Sequence, residues 1–98
     1  MKLSTEKNGT ELTALINGEI NTNTAPELAA FLDGELPGVQ ALTLDFAKCN
    51  YVSSAGLRVL LATFKRMRVA NGSTSFANVS EDIMDVFEIT GLARVFGL

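Results

Sequence analysis

The apolar run from Val39 to Phe46 constrains the fold more than any other stretch of the sequence. It is far shorter than the roughly 20 residues that cross a bilayer, and Pro37-Gly38 precedes it as a turn signal. A short apolar run bounded by turn signals is typical of a strand that is covered on both faces. We therefore predict a central strand here, within a sheet that helices cover.

A long amphipathic helix is predicted after this strand, from about Ser54 to Ala70. Its apolar residues recur at steps of three and four, as they do on the buried side of a helix, and Asn71-Gly72 is a C-terminal signal. The apolar residues of this side are Leu57, Leu60, Leu61, Phe64 and Met67. Residues 47–53 form the loop that joins the strand to the helix.

The segment before the central strand predicts a hairpin and a first helix. Residues 2–7 and 11–18 are strand-like and flank Asn8-Gly9, a strong turn signal. Thr24 stands three residues before Glu27, which is the spacing of a capping box. Pro26 fits the first turn of a helix, where its missing N–H has little effect.

The segment after the long helix predicts a strand at residues 73–77 and a third helix that Ser80 caps. Gly91 ends this helix, and residues 92–98 form either a short helix or a strand. The resulting order is β-β-α-β-α-β-α. Strand–helix–strand units imply parallel later strands, and the leading hairpin makes the sheet mixed, so we predict an α/β fold.

Composition excludes several classes of function. The 98 residues, 47% of them hydrophobic, indicate one globular domain. A net charge of −3 argues against nucleic acid, which concentrated basic surfaces bind. The basic cluster Lys65, Arg66 and Arg68 favours a solvated helix end. The single cysteine, Cys49, fits a packing residue in a reducing compartment. We expect a cytoplasmic protein without membrane insertion.

No catalytic constellation is visible in the sequence. The chain has no histidine, which removes imidazole-based triads and a common zinc ligand, and it has no glycine-rich phosphate loop. Asp45 lies at the end of the apolar strand, and Glu19 is the one candidate partner for carboxylate catalysis. The other role for Asp45 is to orient the following loop through backbone N–H groups. We therefore predict a non-enzymatic protein without metal or cofactor.

The start of the long helix is unusually bare. The segment Ser53-Ser54-Ala55-Gly56 places two hydroxyls and two small residues there. A glycine in the first turn lowers the stability of a helix by up to ~1 kcal/mol relative to alanine. One interpretation is that a serine merely caps the helix. The other is that another backbone or a nucleotide approaches this helix start closely.

The same region resembles a known family. Leu42-Thr43-Leu44-Asp45-Phe46, followed by Tyr51-Val52-Ser53-Ser54-Ala55-Gly56-Leu57, resembles the signature of STAS domains of the anti-sigma factor antagonist type. Gly18-Glu19-Ile20-Asn21 and residues 86–92 resemble the family's turn into its first helix and the end of its third helix. The resemblance implies a single domain over residues 1–98, with a mixed four- to five-stranded sheet and three to four helices mainly on one face.

The resemblance also implies a switch that works through a protein partner. In this family a GHKL-type serine kinase, which doubles as an anti-sigma factor, binds the unphosphorylated domain and phosphorylates a serine two residues before the motif's glycine. A PP2C-type phosphatase reverses the reaction. The phosphorylated serine corresponds to Ser54 here, with Ser53 as the competing site. The sequence departs from the family pattern at Ser53, Ala55 and Asn21, which replace an acid, a hydroxyl residue and an acid.

A partner is expected to bind around this helix start. The expected contact residues are Asn21, Thr22, Asn23, Ser53, Ala55, Gly56 and Arg58. Turn and cap chemistry is the alternative role for residues 21–23, and Arg58 is alternatively an ordinary exposed helix arginine.

Two other functions stay open at the level of sequence. A phosphorylation-independent STAS scaffold subunit of a transport or signalling complex would carry no phosphate on Ser54. A small-ligand or nucleotide sensor would use the bare helix start as an anion site. Because catalytic residues are lacking, the switch, the scaffold and the sensor would each act by binding another molecule.

Overall fold

The computed structural model describes residues 1–98 as four strands and four helices. In chain order they are β1 (Lys2–Asn8), β2 (Glu11–Asn17), α1 (Ala25–Glu35), β3 (Ala41–Lys48), α2 (Ser54–Val69), β4 (Ser73–Ala77), α3 (Glu81–Ile89) and α4 (Leu92–Val95). The predicted alternation is confirmed, and the C-terminal segment is a short helix. None of the helices combines the length and the hydrophobicity that crossing a membrane requires.

The four strands form one mixed sheet in the order β1-β2-β3-β4. β1 and β2 pair antiparallel as a hairpin, and Gly9 near its tip has a φ of 63°, which glycine adopts without steric cost. β2 pairs with β3 in parallel, and β3 pairs with β4 in parallel. The prediction of a hairpin followed by parallel strands is therefore confirmed.

The central strand β3 is covered on one face only. Leu42, Leu44 and Phe46 are buried, whereas the residues between them, Thr43 and Asp45, are partly exposed. The prediction that both faces of this strand are covered is wrong, because the helices all pack on the face that carries the buried residues. The expectation of helices mainly on one face, which came from the family resemblance, is confirmed.

The covered face of the sheet and the helices enclose one core of 20 buried hydrophobic residues. Part of this core is aromatic. Phe46 and Phe87 meet edge to face with ring centroids 6.3 Å apart, and Phe76 stacks on Phe96 at 4.4 Å. Phe96 directly follows α4, so these contacts fix the C-terminal helix to the sheet.

The helix α1 begins without the capping box that its sequence predicts. Thr24 is the N-cap residue, but its hydroxyl makes no bond to the first turn. The hydroxyl instead accepts a hydrogen bond from the Asn21 N–H at 2.8 Å and donates one to the Glu19 carbonyl at 2.7 Å. The capping prediction is wrong because this hydroxyl closes the turn that precedes the helix.

The helix α3 begins and ends as predicted. The Ser80 hydroxyl accepts a hydrogen bond from the Ile83 N–H at 3.2 Å, and Glu81 and Asp82 lie in the first turn. Acidic residues are favourable there because they face the positive end of the helix dipole. Gly91 follows the helix with a φ of 79°, which is a common conformation at a helix C-terminus.

Candidate functional site

The bare helix start lies at the carboxyl edge of the parallel strands. β3 ends at Lys48, and the chain passes through a loop to Ser54, the first residue of α2. The segment after β2 lies at the same edge, because β2 and β3 run in parallel. Binding sites of open α/β sheets form at this edge, where the loops that follow the strands meet.

Backbone hydrogen bonds join the two loops at this edge. Ile20 and Val52 form an isolated parallel bridge beyond the regular strands. The Ile20 N–H donates to the Tyr51 carbonyl at 2.9 Å, and the Ser53 N–H donates to the Ile20 carbonyl at 2.7 Å. The turn from Asn21 to Thr24 is therefore held directly beside the start of α2.

The two adjacent serines have different surroundings. Ser53 is half-buried and is the N-cap of α2, and its Oγ accepts a hydrogen bond from the Gly56 N–H at 3.2 Å. Ser54 is exposed, and its hydroxyl has no hydrogen-bond partner in the chain. Capping, the simpler interpretation of the serine pair, is thus the role of Ser53, while the Ser54 hydroxyl is free.

The electrostatics of this helix start favour an anion. The first turn of α2 contains no acidic residue, so nothing within the helix compensates the positive end of its dipole. Arg58 lies one turn after Ser54 and is exposed. A phosphoryl group on the Ser54 hydroxyl would meet a favourable field here.

The turn from Asn21 to Thr24 is closed by the side chains of its first and last residues. The Asn21 Oδ1 accepts hydrogen bonds from the N–H groups of Asn23 at 2.9 Å and Thr24 at 3.0 Å. Turn chemistry, the alternative interpretation, is therefore a role that Asn21 performs. The side chains of Thr22 and Asn23 are exposed and make no hydrogen bond, so they are free to meet a partner.

Gly56 is buried, so the expectation that it contacts a partner is wrong. A Cβ at this position would lie 2.6 Å from the Ile20 Cγ2 and 2.9 Å from the Val52 Cγ1. The missing side chain admits the chain's own loops, which pack against the helix start. Of the other expected contacts on α2, Ala55 is half-buried and Arg58 is exposed.

The contacts of Asp45 and the burial of Cys49 indicate structural roles for both residues. The Asp45 Oδ1 accepts hydrogen bonds from the Ala47 N–H at 2.9 Å and the Asn78 Nδ2 at 3.0 Å, which confirms its expected role in orienting the loop. Cys49 is buried, and this burial raises the pKa of its thiol. A buried thiol with a raised pKa is inert, in agreement with a packing residue.

Sequence analysis missed two residues that shape the site, Ile20 and Asn78. An apolar residue within the polar turn Glu19-Ile20-Asn21 was the available signal for the first. An asparagine directly after a strand was the signal for the second, which has a φ of 56°. No three side chains of the metal-ligating types His, Cys, Asp and Glu gather anywhere in the structure.

The sequence is similar to known proteins along its whole length. The STAS domain family matches residues 2–98. BtrV of Bordetella bronchiseptica, a proposed anti-sigma factor antagonist, is 34% identical over 98% of this chain and 84% of its own length. The anti-sigma-B factor antagonist of Bacillus subtilis is 29% identical over 100% of this chain and 90% of its own length.

The fold is similar to that of the anti-sigma factor antagonist SpoIIAA from Bacillus. Its unphosphorylated form gives a TM-score of 0.74 at 17% identity, over 99% of this chain and 100% of the other. Its phosphorylated form gives 0.76 at 18% identity, over 95% and 86% of the two chains. At such identities the likeness concerns the fold. From the family match and the sequence relatives together, the chain belongs to the STAS domain family and, within it, to the anti-sigma factor antagonist type.

Proposed function

We propose that the chain is a phosphorylation-switched anti-sigma factor antagonist that acts as a single domain in the bacterial cytoplasm. Unphosphorylated, it binds an anti-sigma factor that is also a GHKL-type serine kinase, and phosphorylation of Ser54 releases it. The observation that carries this proposal is the free, exposed hydroxyl at an uncompensated helix start. The names of the two relatives and the existence of SpoIIAA in phosphorylated and unphosphorylated forms support it.

Ser54 is the better phosphate acceptor of the two adjacent serines. A kinase can reach its hydroxyl without breaking a contact of the folded chain. The Ser53 hydroxyl is already used, because it caps α2 through the Gly56 N–H. Modification of Ser53 would remove a cap worth about 1 kcal/mol and would disturb the helix start.

The covalent chemistry belongs to the partners. The kinase transfers the γ-phosphoryl group of ATP to the Ser54 Oγ, ADP leaves, and the hydroxyl proton passes to a base of the kinase. A PP2C-type phosphatase hydrolyses the phosphoserine with water, releases inorganic phosphate and restores the hydroxyl. This chain supplies only the acceptor oxygen, so it is a substrate and a ligand and not an enzyme.

The phosphate acts on the interface and leaves the fold in place. It adds a charge of about −1.5 to −2, and the helix N-terminus stabilises a negative charge by up to ~2 kcal/mol. Against a docked protein, by contrast, an unpaired buried dianion costs several kcal/mol. Since about 1.4 kcal/mol corresponds to a tenfold change in affinity, the modification is sufficient to release a tightly bound partner.

Affinity capture tests the proposal. The wild-type chain, Ser54→Ala and Ser54→Asp serve as baits in lysate of the source bacterium, and mass spectrometry identifies bound proteins and any phosphate on the bait. We expect the wild type and Ser54→Ala to capture the same GHKL-type protein and Ser54→Asp to lose it. With ATP and the purified captured protein, the wild type gains phosphate on Ser54 and Ser54→Ala gains none.

Ser53→Asn is the matched control, because asparagine caps helices well and cannot be phosphorylated. We expect this variant still to gain phosphate on Ser54 when it is incubated with ATP and the captured protein, which would identify Ser54 as the acceptor. Equal capture by Ser54→Asp, or phosphate on Ser53 in the wild type, would contradict the proposal.

A further inference from the structure

Basic residues are concentrated on α2. This helix carries four of the eight lysines and arginines of the chain and none of its eleven acidic residues. The four are Arg58, Lys65, Arg66 and Arg68. In a chain with a net charge of −3, such a helix is a local region of opposite sign.

Two of these four cations are engaged within the chain. The Arg66 Nη1 lies 2.8 Å from the Asp33 Oδ1 and forms the one ion pair of the structure. The Arg68 guanidinium lies 5.1 Å from the centroid of the Phe64 ring, in a cation–π contact. Arg58 and Lys65 are exposed and have neither a hydrogen bond nor an ion pair, so their charges are free.

The two free cations are aligned with Ser54. Steps of four and seven residues return to the same side of a helix, so Ser54, Arg58 and Lys65 share one side of α2. Gly56, Leu60, Thr63 and Met67, which are buried, define the opposite side. At about 1.5 Å per residue, the three aligned positions extend over roughly 16 Å of the solvent side of the helix.

We propose that Ser54, Arg58 and Lys65 form a basic stripe that docks an acidic surface of the anti-sigma factor. This inference rests on the proposed function and names the chemistry of the partner's surface. Charge complementarity across an interface steers the encounter and sets its specificity. Half-buried Leu61 and exposed Ala62 lie between the two cations along the helix and offer apolar contact area within the stripe.

An acidic protein surface fits this stripe better than a nucleic acid or an anionic membrane. The stripe is one helix side wide and has two free cations, whereas phosphate-rich polymers and lipid surfaces are bound by larger basic clusters. The neighbouring helix α1 contains Glu27, Asp33 and Glu35 and no basic residue. Its charge would repel an extended polyanion, whereas a compact acidic patch can meet α2 alone.

The stripe connects the phosphorylation site to partner recognition. A phosphate on Ser54 adds a charge of about −1.5 to −2 at the end of the stripe that lies next to Arg58. Ser54 and Arg58 are one helical turn apart, which is well within the screening length of about 8 Å at physiological ionic strength. Phosphorylation therefore offsets the charge of Arg58 and places a repulsive anion at the end of the stripe that the acidic partner contacts.

Salt-dependent affinity measurements test the stripe. The purified anti-sigma factor identified by capture is titrated with the wild-type chain and with R58Q/K65Q at 50, 150 and 500 mM NaCl. The control K7Q/R94Q changes the net charge equally at exposed positions outside α2. At 50 mM NaCl we expect R58Q/K65Q to bind about tenfold more weakly than wild type, with a flatter salt dependence, and K7Q/R94Q to bind within about twofold of wild type.

The outcomes separate this inference from the proposed function. If Ser54→Asp abolishes binding but R58Q/K65Q matches the control in affinity and salt dependence, the stripe is refuted and the switch survives. If Ser54→Asp still binds, the proposed function itself fails. Binding of the chain to phosphatidylglycerol vesicles or duplex DNA that R58Q/K65Q abolishes, with unchanged affinity for the anti-sigma factor, would also overturn the inference.

Discussion

The helices α2 and α3 begin with the same local device and differ in the charge beside it. In each, an extended serine, Ser53 or Ser80, accepts a hydrogen bond at 3.2 Å from the N–H three residues later. The first turn of α3 carries Glu81 and Asp82, whereas that of α2 carries no acid. The serine cap provides order at both helix starts, while a permanent negative charge is present at only one.

This difference separates a structural helix start from one suited to regulation. The acids of α3 compensate its dipole at all times. No acidic residue compensates the positive end of the α2 dipole, so a phosphate on Ser54 would supply a negative charge there that can be added and removed. The residue that donates its N–H to the cap differs as well. In α3 it is Ile83, whose side chain is buried in the core. In α2 it is Gly56, whose missing side chain leaves room for Ile20 and Val52 to pack against the helix.

The largest expected effects on stability come from changing the side-chain volume at these two positions, by truncating Ile83 and by adding a methyl group to Gly56. Ile83→Ala leaves a cavity and lowers the free energy of unfolding by about 2–5 kcal/mol. Gly56→Ala overpacks the loops and lowers it by about 1–3 kcal/mol. Urea unfolding followed by circular dichroism measures both changes.

Gly34→Ala in α1 is the control for the glycine substitution, because the added Cβ would have no atom within 4 Å apart from the neighbouring backbone of its own helix. We expect this variant to be up to ~1 kcal/mol more stable than the wild type. If Gly56→Ala were as stable as Gly34→Ala, the side chains of Ile20 and Val52 could move aside without cost. The close packing of the loops against α2 would then not require a glycine at position 56.

A smaller effect tests whether the two caps are equivalent. Ser53→Ala and Ser80→Ala each lose one side-chain cap, so each should lower the free energy of unfolding by about 1 kcal/mol. Ser53→Asn and Ser80→Asn keep an acceptor and should stay near wild type. A neutral Ser53→Ala would show that the Ser53 hydroxyl does not stabilise α2, which would weaken the distinction between the two serines.

The sequence was sufficient for elements that local chemistry specifies. The hairpin around Asn8-Gly9, the boundaries of β4 and the start of α3 were predicted because their turn, strand and cap signals lie within a few residues of each other. The start of α2 at Ser54 was predicted as well, whereas which of the two serines caps the helix was left open by the sequence. Ser54 is exposed because it lies on the side of α2 opposite the buried residues Leu60, Thr63 and Met67.

Features set by distant contacts could not be predicted. β3 begins at Ala41 instead of Val39 because the N–H groups of Gln40 and Ala41 both turn to the Thr10 carbonyl. The burial of Gly56 depends on a bridge between segments that are far apart in sequence. Thr24 has a capping residue's chemistry, but the nearby backbone of the preceding turn competes for its hydroxyl.

The smallest expected effect tests the charge difference directly. Ser54→Asp should raise the free energy of unfolding by about 0.3–1 kcal/mol, and E81Q/D82N should lower it by a similar amount per charge. Both changes should shrink at 1 M NaCl, because salt screens exposed charges. Destabilisation by Ser54→Asp would mean that the start of α2 does not favour an anion.

The central claim is that a phosphate on Ser54 changes binding without changing the fold. The chain carrying phosphoserine at this position is compared with the unmodified chain by calorimetric titration against the captured anti-sigma factor and by thermal unfolding. We expect the affinity to fall at least a hundredfold, or about 3 kcal/mol, while the melting temperature stays equal or rises slightly. Unchanged affinity, or a loss of affinity accompanied by unfolding of the phosphorylated chain, would contradict the account.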